Sequence, residues 1–323
     1  MSATVEVRNL RTHFFTRAGV VKAVDDVSFS VAGGQVLGLV GESGSGKTVT
    51  GFSIIGLVDH PGRIAGGSIW YQGQDLAKLT EREMRSLRGN RIAMIFQDPM
   101  MTLNPVLRID TQMIEAVQAH RAVSRGAARD AARAALARVG IAAPDERLLA
   151  YPHQFSGGMR QRVAIAIALL NGPDLIICDE PTTALDVTIQ GQILHEMQTL
   201  CRESGTALIW ITHDLSVVAG LADTVSVMYA GRVVESGTVA DVLERPRHPY
   251  TQGLIACAPS RNPRGQPLRQ IPGMTPSLLN LGPGCAFRAR CASASAACAA
   301  TPPLEECDGR TLRCFHPVNQ VTP

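Results

Sequence analysis

The most constraining stretch of the chain is Val36-Leu37-Gly38-Leu39-Val40 running directly into Gly41-Glu42-Ser43-Gly44-Ser45-Gly46-Lys47-Thr48. A short apolar run of this kind reads as a strand buried on both faces. The glycine-rich octet that follows opens a helix from about Lys47 and satisfies G-x-x-x-x-G-K-[ST] in full, in the strand–loop–helix context the pattern requires. Glycines let the backbone curl so that successive N–H groups point inward around an anion. The helix aims its positive end at the same place. Lys47 adds a mobile cation for β- and γ-phosphate oxygens, and the Thr48 hydroxyl can ligate Mg²⁺. Gly41, Glu42, Ser43, Gly44, Ser45, Gly46, Lys47 and Thr48 are therefore the expected phosphate-binding residues. A dinucleotide fingerprint fails, because no third glycine follows Gly44-Ser45-Gly46.

A second motif supports the first. Leu175-Ile176-Ile177-Cys178 ends in the paired carboxylates Asp179-Glu180. A carboxylate at the end of a buried strand beside a phosphate loop can hold the Mg²⁺ shell, a role that suits Asp179. Glu180 is then placed to polarise a water for in-line attack on a γ-phosphate.

Elsewhere, Thr4–Leu10 alternates apolar and polar residues as a half-buried strand does, and strands are expected around Val27–Val31, Arg91–Phe96, Leu175–Cys178 and Ala207–Thr212. Val225–Tyr229 and Arg232–Glu235, joined by Ala230-Gly231, read as a hairpin. Strands interleaved with helices predict an α/β fold with a largely parallel sheet. The Ala-rich stretch from about Thr111 to Gly140 is helical, and Arg121, Arg125, Arg129 and Arg133 recur every four residues along one solvated face.

Composition narrows the function. Of the 323 residues, 45% are apolar and 18% charged, which excludes a disordered chain. A formal charge of +3 and 4% aromatics argue against a nucleic-acid partner. The densest apolar run, Val163 to Leu170, is eight residues long, far short of the ~18–20 needed to span a bilayer. Glu6, Arg8 and Arg11 interrupt any signal-peptide core. These features predict a soluble, cytosolic chain that reaches a membrane only through other subunits.

Phe155-Ser156-Gly157-Gly158-Met159-Arg160-Gln161-Arg162, about 20 residues before the acidic pair, resembles the signature motif of ATP-binding cassette (ABC) ATPases. Met159 departs from the family's usual Gln, while the Ser and Gly positions are intact. On its own chemistry, Ser156 is a good N-cap, Gly157 and Gly158 offer bare amides, and a helix through Leu170 presents its positive end. A second anion site in one chain makes sense if it serves a facing subunit, and the resemblance implies head-to-tail dimers of that kind.

The same resemblance assigns further residues. Gln97 matches the loop glutamine that touches Mg²⁺ and the attacking water. Asp186, in Ala184-Leu185-Asp186, looks like the loop crossing between sites. His213 matches the switch histidine, and Phe14 the aromatic that stacks on adenine, with Phe15 a substitute. It implies ATP and Mg²⁺ as cofactors, with Thr48, Gln97 and Asp179 around the metal and Glu180, His213 and Gln97 catalytic. It also implies a P-loop NTPase core over residues 1–240, with an antiparallel β-subdomain and a helical subdomain at about 98–170.

From about Gly237 the character changes. Pro246-Arg247-His248-Pro249-Tyr250-Thr251, then Ile271-Pro272-Gly273, then a cysteine-rich end resemble, in this order, the ATPase subunits of bacterial dipeptide and oligopeptide importers. Arg247-His248-Pro249-Tyr250 itself reads only as a structural turn. Cys285, Cys291, Cys298, Cys307 and Cys314 have five, six, eight and six residues between them, without the C-x-x-C pairs of a zinc ribbon. Thiolates this dense in a reducing compartment read as metal ligands, for Zn²⁺ or a four-iron cluster. The resemblance implies a 4Fe-4S cluster on Cys285, Cys291, Cys298 and Cys314, Cys307 being spare, within an extension at 241–323.

The expected protein is thus the ATP-hydrolysing subunit of a peptide importer at the cytoplasmic face of the inner membrane. It would work with a second, different ATPase subunit, two transmembrane permeases and an extracytoplasmic binding protein. Nickel and glutathione importers share these features. A soluble ABC ATPase acting on nucleic acid is the alternative from another class.

Overall fold

The computed structural model describes residues 3–182, 187–263, 265–279, 281–307 and 309–318. In chain order the strands are β1 (Ala3–Thr16), β2 (Gly19–Ala32), β3 (Val36–Val40), β4 (Gly62–Tyr71), β5 (Gln74–Asp75), β6 (Ile92–Ile95), β7 (Leu175–Asp179), β8 (Ala207–Thr212), β9 (Thr224–Tyr229), β10 (Arg232–Thr238), β11 (Glu305–Cys307) and β12 (Arg310–Leu312). The helices are α1 (Lys47–Ile54), α2 (Glu81–Leu87), α3 (Ile109–Gln118), α4 (Arg125–Arg138), α5 (Pro144–Leu148), α6 (Gly157–Leu169), α7 (Val187–Ser204), α8 (Leu215–Leu221) and α9 (Pro249–Ala256). The chain divides into two compact units.

One unit holds residues 5–30, 37–77 and 210–323. Its four-stranded sheet has the order β2-β1-β4-β5, with β1 antiparallel to β4 in a register that sets Val5 against Tyr71 and Phe14 against Gly62. Its second sheet runs β11-β12-β10-β9-β3-β8. β3 and β9 are parallel, Val40 lying opposite Val227, and β9 and β10 form the expected antiparallel hairpin. β12 adds to the far side of β10, with Leu312 opposite Glu235, so the cysteine-rich end of the chain is stitched to this sheet.

The core behind these strands gathers Val40, Val225, Val227, Tyr229, Tyr250 and Phe287. The rings of Tyr229, Tyr250 and Phe287 meet pairwise at 4.6, 5.3 and 5.4 Å. Each such pair contributes about 0.5–1.5 kcal/mol beyond its buried area. This cluster welds α9 and the 3₁₀ turn at Arg288–Arg290 to the strand that ends at the phosphate loop.

The other unit holds residues 3–4, 31–36 and 78–209. Its strands run β8-β7-β6, with β6 parallel to β7 and Ile95 opposite Cys178. Every residue of β7 and β8 is buried, which explains their unbroken apolar runs.

The Ala-rich stretch is two helices rather than one. α3 ends at Gln118, and Ser124 opens α4 as an N-cap, its hydroxyl accepting from the Ala127 N–H at 3.2 Å. Arg121 falls in the link, so the expected basic row shortens to Arg125, Arg129 and Arg133. α4 buries Ala128, Ala132 and Leu136, and beside that stripe Arg125 and Arg133 are exposed and Arg129 half-buried. Among the described residues no helix is long and apolar enough to cross a membrane.

Candidate nucleotide site

The loop between β3 and α1 has the shape its glycines imply. Gly41 and Gly46 have φ of +151° and +102°. A Cβ at either would stand 2.2 Å from the Met228 carbonyl oxygen or 2.3 Å from that of Ala23. No other residue fits there. Lys47 Nζ folds back over the loop, donating to the carbonyls of Gly41 at 2.8 Å and Glu42 at 3.0 Å and to Ser45 Oγ at 3.4 Å. Ser45 and Lys47 are buried, whereas Ser43 and Gly44 are exposed at the mouth. The loop therefore presents backbone amides around one enclosed ammonium, a preformed anion cradle.

Glu42 is held from far along the chain. The Arg290 guanidinium grips its carboxylate with both arms, at 2.6 Å to Oε2 and 3.0 Å to Oε1. The Thr275 hydroxyl adds a bond of 3.3 Å to Oε2, and the Glu42 N–H donates to the Tyr250 hydroxyl at 2.9 Å. Arg290's hydrogen bonds hold the Glu42 carboxyl below the usual carboxylate range, and the nearby Lys47 ammonium acts in the same direction.

Arg290 is itself fixed by the Pro272 carbonyl at 2.9 Å and by the Tyr229 hydroxyl at 3.4 Å. Reading the motif loop by its glycines and lysine misses Tyr250 and Arg290 altogether. Their signals in the sequence were a Tyr in a block with no assigned chemistry and an Arg immediately before Cys291.

The block Arg247-His248-Pro249-Tyr250 also gains a physical account. His248 caps α9, Nδ1 accepting from the Tyr250 N–H at 3.0 Å, while Pro249 takes the first helical position. Glu235, itself buried, accepts from the N–H groups of Arg247 at 2.8 Å and His248 at 3.0 Å and from Arg310 at 2.8 Å. Burial pushes the His248 imidazole down to about 4. The turn thus delivers the Tyr250 hydroxyl to the phosphate loop.

In the other unit, Asp179 is the buried last residue of β7 and Glu180 follows it. Glu180 has φ of +45°, an uncommon conformation for a residue with a side chain and one that collects at functional sites. Its Oε2 accepts from Gln97 Nε2 at 3.4 Å, so two residues 83 apart in sequence meet here.

The signature segment forms α6 with Ser156 as N-cap, its hydroxyl accepting from the Met159 N–H at 3.3 Å. Ser156 and Gly157 are exposed, and Gly158 is half-buried. Their amides face outward at a positive helix end.

His213 is exposed just past β8, where Asp214 caps α8. Phe14 packs against Gly62, while the exposed Phe15 ring carries the Arg63 guanidinium 4.3 Å from its centroid. Asp186 lies outside the described residues.

Cys285, Cys291, Cys298 and Cys314 are all unbridged thiols. Burial pushes the thiols of Cys285 and Cys291 up, and that of Cys314 to about 11. Smaller effects on these groups come from one another, Cys314 sensing all three others. The four expected ligands therefore share one patch, in which the backbone N–H of Cys285 donates to the Cys298 carbonyl at 3.0 Å.

The expected metal centre is not met by this arrangement, however. Among the described residues no three His, Cys, Asp or Glu side chains are placed to hold one metal ion. That geometry does not fit Zn²⁺, whose thiolates must crowd within ~2.3 Å of a single centre. Neither the expected 4Fe-4S cluster nor its Zn²⁺ alternative is therefore formed by the described residues. The four unbridged thiols supply only the donor type that either centre would take.

Comparison with known proteins agrees with the motifs. Residues 24–183 match the family "ABC transporter", and residues 234–298 match "Oligopeptide/dipeptide transporter, C-terminal region". The oligopeptide transport ATP-binding protein OppD of Escherichia coli is 48% identical, over 99% of this chain and 95% of its own. The dipeptide transport ATP-binding protein DppD of Bacillus subtilis is 46% identical, over 98% and 95%. A putative peptide import ATP-binding protein of Brucella melitensis is 52% identical over 93% of each. Among solved structures, the ATP-binding cassette MJ0796, a dimer in a post-hydrolysis state bound to ADP and Pi, superposes with a TM-score of 0.66 at 26% identity, covering 73% of this chain and 98% of that one. With a phosphate loop, an acidic strand end, a signature helix and relatives of this kind over almost its whole length, the chain belongs to the family of ATP-binding proteins of oligopeptide/dipeptide ABC transporters.

Proposed function

We propose that the chain binds ATP and Mg²⁺ at the phosphate loop, hydrolyses the γ-phosphate and couples that cycle to import of dipeptides or oligopeptides. The observation that carries hydrolysis is the Glu180 carboxylate, set at the end of β7 in a strained conformation and touched by Gln97. In this reading Glu180 orients and deprotonates the attacking water, Gln97 and Asp179 share the metal shell with Thr48, and His213 contacts the γ-phosphate. Phe14 supports the adenine. Ser156, Gly157 and Gly158 serve the nucleotide of a facing ATPase subunit, with Asp186 crossing between the two sites, and the exposure of the α6 end supports that assignment.

The chain would act as a cassette at 1–240 with an extension at 241–323, on the cytoplasmic face of the membrane. A second, related ATPase, two permeases and a solute-binding protein complete the machine. Glu180→Gln tests the reading: ATP binding persists while steady-state hydrolysis falls by about 10²–10⁴-fold. Near-normal turnover in that variant would overturn the role of Glu180.

The extension has its own reading. Cys285, Cys291, Cys298 and Cys314 hold a 4Fe-4S cluster, supported by the shared patch of unbridged thiols. Such a cluster would offer four iron sites, each taking one thiolate, and so would cross-link the extension. Anaerobically prepared protein is expected to carry iron and acid-labile sulfide in equal amounts, and Cys298→Ser to lose both. Metal-free protein overturns the cluster.

A further inference from the structure

The phosphate loop carries an awkward charge. Glu42 puts a carboxylate beside a cradle meant for a polyanion, within electrostatic reach of Lys47, the cation meant for the phosphates. An unmatched carboxylate there would compete with nucleotide for Lys47 and repel the incoming charge. The chain answers with three groups from beyond residue 240 that converge on this one residue: the Tyr250 hydroxyl on its N–H, and the Thr275 hydroxyl and Arg290 guanidinium on its carboxylate.

Arg290 occupies both carboxylate oxygens, and its side chain is only 5% exposed. A guanidinium fork matches a carboxylate in this way and a lysine cannot. The position is held by the Pro272 carbonyl, by the Tyr229 hydroxyl and by the Tyr229 and Phe287 rings, 5.8 and 5.9 Å from the guanidinium carbon.

We infer that Arg290 is a positioning residue for nucleotide binding: supplied in cis by the C-terminal region, it neutralises Glu42 and so keeps Lys47 for the phosphates. The inference rests on the loop being the ATP site and adds to it a residue from the extension. The extension then becomes part of the nucleotide machinery without touching the nucleotide. Arg290 also sits in the short turn between Cys285 and Cys291, so whatever those thiols hold fixes the same turn.

Equilibrium titration of the full chain with a trinitrophenyl-labelled ATP and Mg²⁺ tests this. Arg290→Met is expected to bind about tenfold more weakly, a loss that shrinks at high salt because a stranded surface charge is screened. Adding Glu42→Gln to Arg290→Met should bring affinity back to within about threefold of the unaltered chain, which a packing role for Arg290 would not do. Arg290→Lys, which keeps the charge and loses the fork, should fall between, and it serves where Arg290→Met fails to fold.

Lys47→Ala separates the layers. If the unaltered chain takes no ATP, or Lys47→Ala takes it equally well, the ATP site is wrong and this inference goes with it. If Lys47→Ala loses ATP while Arg290→Met or Arg290→Lys binds like the unaltered chain, only the role of Arg290 is wrong. A loss in Arg290→Met that Glu42→Gln does not relieve also overturns it.

Discussion

The phosphate loop and the start of α6 both offer backbone amides to an anion, but they are held in opposite ways. The loop is enclosed: Lys47 is buried, Gly41 and Gly46 are jammed against neighbouring carbonyls, and Glu42 is bonded by three residues from the C-terminal region. The α6 start is open, with Ser156 and Gly157 exposed and nothing within 4 Å of a Cβ built on Gly157. A site finished by its own chain is constrained by internal contacts. A helix end left open is constrained only in what it displays.

One substitution made in both places is the sharpest way to break that contrast. Gly46→Ala drives a methyl into the Ala23 carbonyl at a φ that side chains avoid, and is expected to cost about 3 kcal/mol or more of stability. Gly157→Ala meets no atom and gains helix propensity, so its stability should stay within about 1 kcal/mol of the unaltered chain. Paired melting curves read both. Equal effects would mean the two ends are not held differently.

Acid offers a milder test on the enclosed side. His248 is uncharged in the fold because burial lowers it from its ordinary 6.5 to about 4. The unfolded chain therefore binds the extra proton between those values, so stability is fully present above pH 6.5 and drains away as pH falls towards 4. The loss amounts to about 3 kcal/mol across that window. Asn can cap α9 without titrating, so His248→Asn should flatten the stability profile between pH 6.5 and 4.5, above the range where Glu42 begins to protonate. A slope that survives the substitution would assign the acid sensitivity to other groups.

Local patterns carried much of this structure. Ala207–Thr212 and Val36–Val40 are strands over the limits expected, because a fully buried strand declares itself by an unbroken apolar run. The hairpin at Ala230-Gly231 was likewise expected.

The misses share a cause. The break at Ser124 lies inside an Ala-rich stretch whose composition reads as helix throughout. β12 is three residues long, and its identity comes from a partner strand rather than from its own sequence. Tyr250 and Arg290 acquire meaning only through tertiary contact with Glu42, which no local period encodes. The cysteine spacings drew attention to Cys285 and Cys291 and away from the arginine between them.

The Glu42–Arg290 pair has a consequence for the making of the protein. Its halves are 248 residues apart, and a ribosome adding roughly 5–20 residues per second needs on the order of 10–50 s to travel from one to the other. For that interval a nascent chain has its phosphate loop but not its counter-charge. The phosphate loop thus emerges 248 residues ahead of the arginine that grips it.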